Sequence, residues 1–182
     1  MKTIALVSWI ILLGCAANPR TLESVAKTES ARMAPPAKRF VGYANYELKR
    51  MVLSPAVQYE AGKVKVAGEL ENTLRAKLKP LFDQWKTAAS IGRSGTLVVE
   101  PQLAFLKVVS GGARFWGGAF AGDSSIDMDL VITDQTTRQQ VAKARITRNA
   151  DSMTGMWSIG QSDENLLEYI ASIAYQYLKD NY

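Results

Sequence analysis

Ser125-Ile-Asp-Met-Asp-Leu-Val-Ile-Thr133 and Val141-Ala-Lys-Ala-Arg-Ile-Thr147 are the two stretches on which the fold turns. In the first, Ile126, Met128, Leu130 and Ile132 alternate with Asp127 and Asp129; in the second, Ala142, Ala144 and Ile146 alternate with Lys143 and Arg145. Strand side chains point to opposite faces with a period of two, so each segment has one apolar and one charged face. Asp134-Gln135-Thr136-Thr137-Arg138 joins them as a hairpin. The register that matches both faces pairs Leu130 with Ala142, Met128 with Ala144 and Ile126 with Ile146, and sets Asp129 opposite Lys143 and Asp127 opposite Arg145. A sheet with one apolar and one ion-paired face is expected to be covered on a single side.

The flanking segments supply the cover. Val64 to Trp85 carries Ala67, Leu70, Leu74, Leu78, Leu81, Phe82 and Trp85 at helical spacing, with Pro80 predicting a kink or a split. Ser162 is placed to cap a last helix, with Asp163 and Glu164 in its first turn and a stripe of Leu166, Leu167, Ile170, Ile173, Ala174, Tyr177 and Leu178. Phe40, Ala44, Tyr46 and Leu48 predict a first strand ended by Ser54-Pro55. Gly92 to Gly95 reads as a turn, and Thr96 to Val109 as a second strand whose Pro101 marks a bulge or an edge. About four strands in one mainly antiparallel sheet, with two helices on one face, make an α+β two-layer sandwich.

At the other end, Lys2 precedes an apolar run from Ile4 to Leu13. That run is too short to span a bilayer, which takes about 20 residues, but suits a signal-peptide core of about 7–15. It ends in Leu12-Leu13-Gly14-Cys15, which resembles a bacterial lipobox. The resemblance implies cleavage of residues 1–14 and acylation, by palmitate-like chains, of Cys15 as the first mature residue. Several chains on one sulfur add their burial, each CH₂ contributing about 0.8 kcal/mol. The alternative is a cleaved secretory signal followed by a stray thiol. Ala16 follows Cys15 where lipoproteins of the inner membrane often carry Asp, so the resemblance implies the outer membrane. Residues 15–37 then form the lipidated Cys and a flexible linker, since Ala16 to Ala37 is rich in Ala, Ser, Thr, Pro and charge without an apolar period. Fully extended, it would reach about 75 Å. Residues 38–182 form a single domain.

Composition excludes several classes of function. The chain of 182 residues carries a net charge of +5, falling to +4 once Lys2 leaves, with no basic block of the kind a nucleic-acid interface shows. There is no histidine, which removes the commonest neutral-pH base and every Ser-His or Cys-His nucleophile. Cys15 is the only cysteine, so no internal disulfide exists. The expectation is a protein that is not an enzyme and holds neither metal nor cofactor.

Two stretches invite a functional reading. Ser110 to Gly122 holds five glycines around Arg114, Phe115, Trp116 and Phe120, without the order or the Lys-Ser/Thr of a phosphate cradle. It reads either as a long connection folding its aromatics onto the domain, or as a loop contacting a partner or a membrane interface. Asp127 and Asp129 lie about 7 Å apart on one strand face and would suit Ca²⁺ or Mg²⁺, but the facing Lys143 and Arg145 favour ion pairing.

The order of a Leu97-Val-Val-Glu-Pro101 strand, the Gly117-Gly-Ala-Phe-Ala-Gly122 stretch, an Asp-x-Asp-x-Val-x-x-Asp strand, a hairpin and a Ser162-Asp-Glu-x-Leu-Leu helix resembles a family of bacterial envelope lipoproteins classed as a domain of unknown function, from about Phe40 onward. In that family a glycine often stands where this chain has Arg138. The resemblance implies no known activity, cofactor or substrate. A more distant likeness, at the level of architecture, is to lipoproteins that build envelope secretion channels from a similar module with an aromatic loop at the bilayer. The sequence therefore reads as a membrane-anchored lipoprotein whose periplasmic module binds a protein or envelope component, or itself. The alternative is a small-ligand or lipid carrier with a pocket lined by Leu74, Leu103, Met128 and Ile170.

Overall fold

The computed structural model describes residues 19–88, 92–107, 124–149 and 162–182. The elements are α1 (Pro19–Arg32), a 3₁₀ turn at Phe40–Gly42, β1 (Asn45–Leu48), β2 (Val52–Leu53), α2 (Pro55–Gln58), α3 (Ala61–Thr87), β3 (Thr96–Lys107), β4 (Ser125–Asp134), β5 (Gln140–Asn149) and α4 (Ser162–Asp180). The sheet runs β1-β3-β4-β5, with β2 beside β1 along the same edge of β3. The pairs β3-β4 and β4-β5 are antiparallel, while β1 and β2 run parallel to β3. The two-layer α+β sandwich stands, with three long helices and one short one rather than two.

The apolar face of the sheet is the one the alternation marks: Ile126, Met128, Leu130 and Ile132 are buried, and so are Ala142, Ala144 and Ile146 facing the same layer. The pairing between the strands differs from the expected one by two residues. Met128 lies opposite Ile146, Leu130 opposite Ala144 and Asp129 opposite Arg145. The turn is the cause. The Asp134 carboxylate accepts the N–H groups of Thr136 and Thr137, and Arg138 N–H donates to Asp134 C=O at 2.8 Å. The ladder then skips Val141 between the pairs Thr133–Gln140 and Ile132–Ala142. A two-residue slide keeps every side chain on its own face, which is why alternation alone cannot tell the two registers apart.

Pro80 does not divide α3, which is continuous from Ala61 to Thr87. An interior proline costs about 3 kcal/mol. Leu74, Leu78, Leu81, Phe82 and Trp85, all buried on one face, more than offset it. Pro101 sits within β3 but level with the break between β1 and β2, which pair with residues 96–99 and 102–103, so its missing N–H interrupts neither parallel ladder. The bulge falls instead at Ala104, between Leu103 and Phe105.

The flexible-linker reading of Ala16 to Ala37 is corrected by α1. Pro19–Arg32 is helical and lies along α4, with Ala26 and Ser30 buried. Ser30 Oγ donates to Asp180 at 2.6 Å, and the Tyr177 hydroxyl donates to Ala34 C=O at 3.0 Å. Ala37 N–H then donates to Val141 C=O at 2.9 Å. A small-residue face on α1 suffices because α4 offers its own small residues, Ala171 and Ala174.

The three long helices point the same way. α3 connects the parallel strands β1 and β3 and so runs against them, ending at Trp85, which packs on Tyr46 of β1. Tyr182, just past α4, stacks on Trp85 at 4.3 Å, while Lys77 pairs with Glu168 further back along both helices. Because Ser30 meets the last turn of α4 and α1 still lies along that helix, α1 can extend only toward the start of α4.

Arg138 has a left-handed backbone (φ 57°), the conformation in which a non-glycine residue costs about 1 kcal/mol or more. Arg138→Gly is therefore expected to stabilise the domain by about 1 kcal/mol and Arg138→Val to destabilise it, as urea midpoints would show.

Candidate functional site

Cys15 and the residues Arg114, Phe115, Trp116 and Phe120 lie outside the described residues. What the structure does place is the chain on either side of them. Lys107 pairs with Ser125, and Ser125 with Asn149, so the ends of β3 and β5 and the start of β4 share one end of the sheet. Segment 108–123 is attached there. The starts of α1, α3 and α4 are at that same end, by the helix directions above.

On the uncovered face of the sheet, Asp129 is held by two cations. Arg145 Nε and one terminal nitrogen donate to its two oxygens at 2.7 and 2.9 Å, and Lys143 Nζ stands 3.0 Å away. The fork from Arg145 is the largest influence and the Lys143 contact adds to it. Together they outweigh the opposing effect of burial and hold the Asp129 carboxyl down at about 2. Only 5% of Asp129 is exposed, so its oxygens are committed to these partners. The metal reading of Asp127 and Asp129 is not supported: the two do not converge with a third acid, and no group of three or more His, Cys, Asp or Glu comes together among the described residues.

The four residues offered as a carrier pocket are closed. Leu74, Met128 and Ile170 have no accessible surface and Leu103 has 1%, which leaves no water-sized space beside them. They belong to one continuous core. Among the described residues, one open groove of about 430 Å³ lies on the outer face near the hairpin, edged by Lys49, Glu100, Thr133, Asp134 and Arg138, and another of about 460 Å³ is edged by Arg50, Glu71, Asn72 and Arg75. Their mixed charge gives neither an evident single-sign ligand.

Two polar arrangements were not legible in the sequence. Tyr43 is buried and donates to Asp134 at 3.1 Å; burial and then the neighbouring carboxylate push its hydroxyl up to about 12, so it stays protonated and serves as a strut. Arg148 pairs with Glu29 of α1 and stacks over the Tyr169 ring. The sign of this second arrangement was present as the one charge on the inward-facing series Ala142, Ala144, Ile146, Arg148, but its partner lies in a segment that reads as unstructured.

The Asp129 carboxyl has a folded value below its ordinary one, so its contribution is fully present above pH 4 and is lost as pH falls toward 2. Allowing for the exposure of Lys143 and Arg145, that contribution is about 1–2 kcal/mol. Asp129→Asn should lose this amount at pH 7, and the gap to the parent should close as urea midpoints are followed down to pH 2.

No family model matches the chain, and no curated protein does. Nineteen solved chains are similar to this one, three of them as follows. One is the PelC dodecamer from Paraburkholderia phytofirmans, at 13% identity and a TM-score of 0.45, covering 80% of this chain and 94% of that one. A single-residue variant of the same dodecamer has 12% identity and a TM-score of 0.44, covering 80% and 96%. Protein XCC0632 from Xanthomonas campestris, of family DUF330, has 7% identity and a TM-score of 0.37, covering 81% and 92%.

Proposed function

We propose that this chain is a non-enzymatic lipoprotein of the outer membrane, held by acyl chains on Cys15, whose periplasmic α+β module binds a protein or envelope component, a second copy of itself included. The observation that carries the reading is Leu12-Leu13-Gly14-Cys15 at the end of an apolar run too short to span a bilayer. No described helix is long and apolar enough to cross a membrane. The absence of histidine supports a binding role over a hydrolytic one. Arg114, Phe115, Trp116 and Phe120 are the proposed contact residues, and their segment is joined to the sheet at the end where α1 begins.

Cells grown with labelled palmitate are expected to label the wild-type chain and not Cys15→Ser; an unlabelled wild type would end the lipoprotein reading. Phe115→Ser combined with Trp116→Ser is expected to leave the unfolding midpoint unchanged and to abolish membrane association of the unlipidated protein or co-purification of its partner. Unchanged association and co-purification would return the segment to a structural role.

A further inference from the structure

Four large apolar side chains are exposed among the described residues: Val52 (47%), Tyr59 (82%), Val64 (39%) and Phe105 (43%). Single exposed apolar residues need no explanation, but their placement does. Val52 is in β2, Tyr59 lies between α2 and α3, Val64 is in the first turns of α3, and Phe105 is in the last turn-ward residues of β3. Tyr59, Val64 and Phe105 therefore belong to the end of the domain where β3 finishes and the long helices start, whereas Val52, opposite Gln102, lies midway along β3. The opposite end, with the β4-β5 turn and Tyr182, has none of them.

This same end is where the chain leaves for Cys15. α1 begins at Pro19, so only four residue steps separate it from the sulfur, about 14 Å at full extension. With α1 docked along α4, the reach of about 75 Å expected of a free linker is not available. An anchored domain would rest this end on the lipid surface. Charge agrees with that orientation: Lys107 is exposed at this end, and α3 presents the positive pole of its dipole there. Two acids near this end already have cationic partners: Glu60 pairs with Lys63 at 2.7 Å, and Glu69 stands 4.0 Å from Lys65.

We infer that Tyr59, Val64 and Phe105 form a membrane-resting surface that lies in the headgroup region of the bilayer to which Cys15 is anchored, with Lys107 meeting anionic lipid phosphates. The occupant is lipid because the tether length admits little else between this end and the bilayer. The inference rests on lipidation of Cys15, and the two can fail separately.

Cys15 is the only cysteine and its sulfur is acylated in the anchored form, so a cysteine introduced elsewhere takes a thiol-reactive, polarity-sensitive fluorophore alone. The test uses full-length lipidated protein in vesicles of phosphatidylethanolamine and phosphatidylglycerol, labelled at Tyr59→Cys, at Phe105→Cys or, at the far end, at Gln139→Cys. The expected result is a blue-shifted emission at 59 and 105 that spin-labelled lipid quenches, and an aqueous, unquenched emission at 139. Aqueous emission at all three sites in protein whose mass shows the acyl chains overturns the resting surface and leaves the anchor standing. Equal blue shift at all three, including 139, overturns it as well, because the orientation would be absent. A mass without acyl chains overturns the anchor and this surface with it.

Discussion

The burial of α4 is the constraint on which the rest of the structure depends. Leu166, Leu167, Ile170, Ile173, Ala174, Tyr177 and Leu178 form the stripe that an amphipathic helix lays on a sheet, but Tyr169, Ala171, Ser172 and Gln176 are buried too. A helix enclosed on that many sides needs more than one cover. The sheet supplies one, α3 a second through the Lys77–Glu168 contact, and α1 the third through Ser30 and Asp180. Removing any of these would leave apolar surface of α4 in water, at about 25 cal/mol for each Å².

That constraint explains which parts of the fold were legible. The faces of β4 and β5 and the stripes of α3 and α4 follow from strict periods in Ile126 to Ile132, Ala142 to Ile146 and Leu166 to Leu178, and the structure keeps each residue on its face. The pairing of β4 with β5 was not legible, because Asp134 and Arg138 set the turn and Val141 is skipped, none of which changes the hydrophobic pattern. α1 was not legible for a different reason. Its buried contacts are Ala26 and Ser30, residues too small or polar to register as an apolar stripe, and its charged contact uses Glu29 on Arg148, distant in sequence. The signal that did exist was on the other partner: Ile170-Ala-Ser-Ile-Ala174 is small and apolar beyond what a single covered face requires. The ion pairing of Asp129 was legible because cross-strand charge sets a cation beside it in either register.

The outer face of the sheet shows how a solvent-facing layer can still specify an arrangement. Asp129 is nearly as buried as the core, yet it sits on the polar side, because the stems of Lys143 and Arg145 fold over it while their charged ends reach its oxygens. The pair is not a large source of stability. Its value is geometric, since a fork from Arg145 to both oxygens is satisfied in the observed register, whereas the register expected from alternation would put Lys143 there instead.

The docking of α1 also changes what an anchor at Cys15 would do. A free linker of twenty-two residues would let the domain sample any orientation and roughly 75 Å of height, so no surface would be favoured over another. Four residue steps before a helix fixed to α4 remove both freedoms at once. On such an anchor the helix starts would face lipid, and the Asp134–Arg138 turn, the groove beside it and the Trp85–Tyr182 stack would face away from it. A soluble partner would meet the second set first. A partner embedded in the bilayer, or a neighbouring copy anchored alongside, would meet the flanks: the β5 edge on one side, and on the other the β2 edge with its exposed Val52. Orientation thus divides the surface into regions with different possible partners before any affinity is considered, and it does so through contacts as small as those of Ala26 and Ser30.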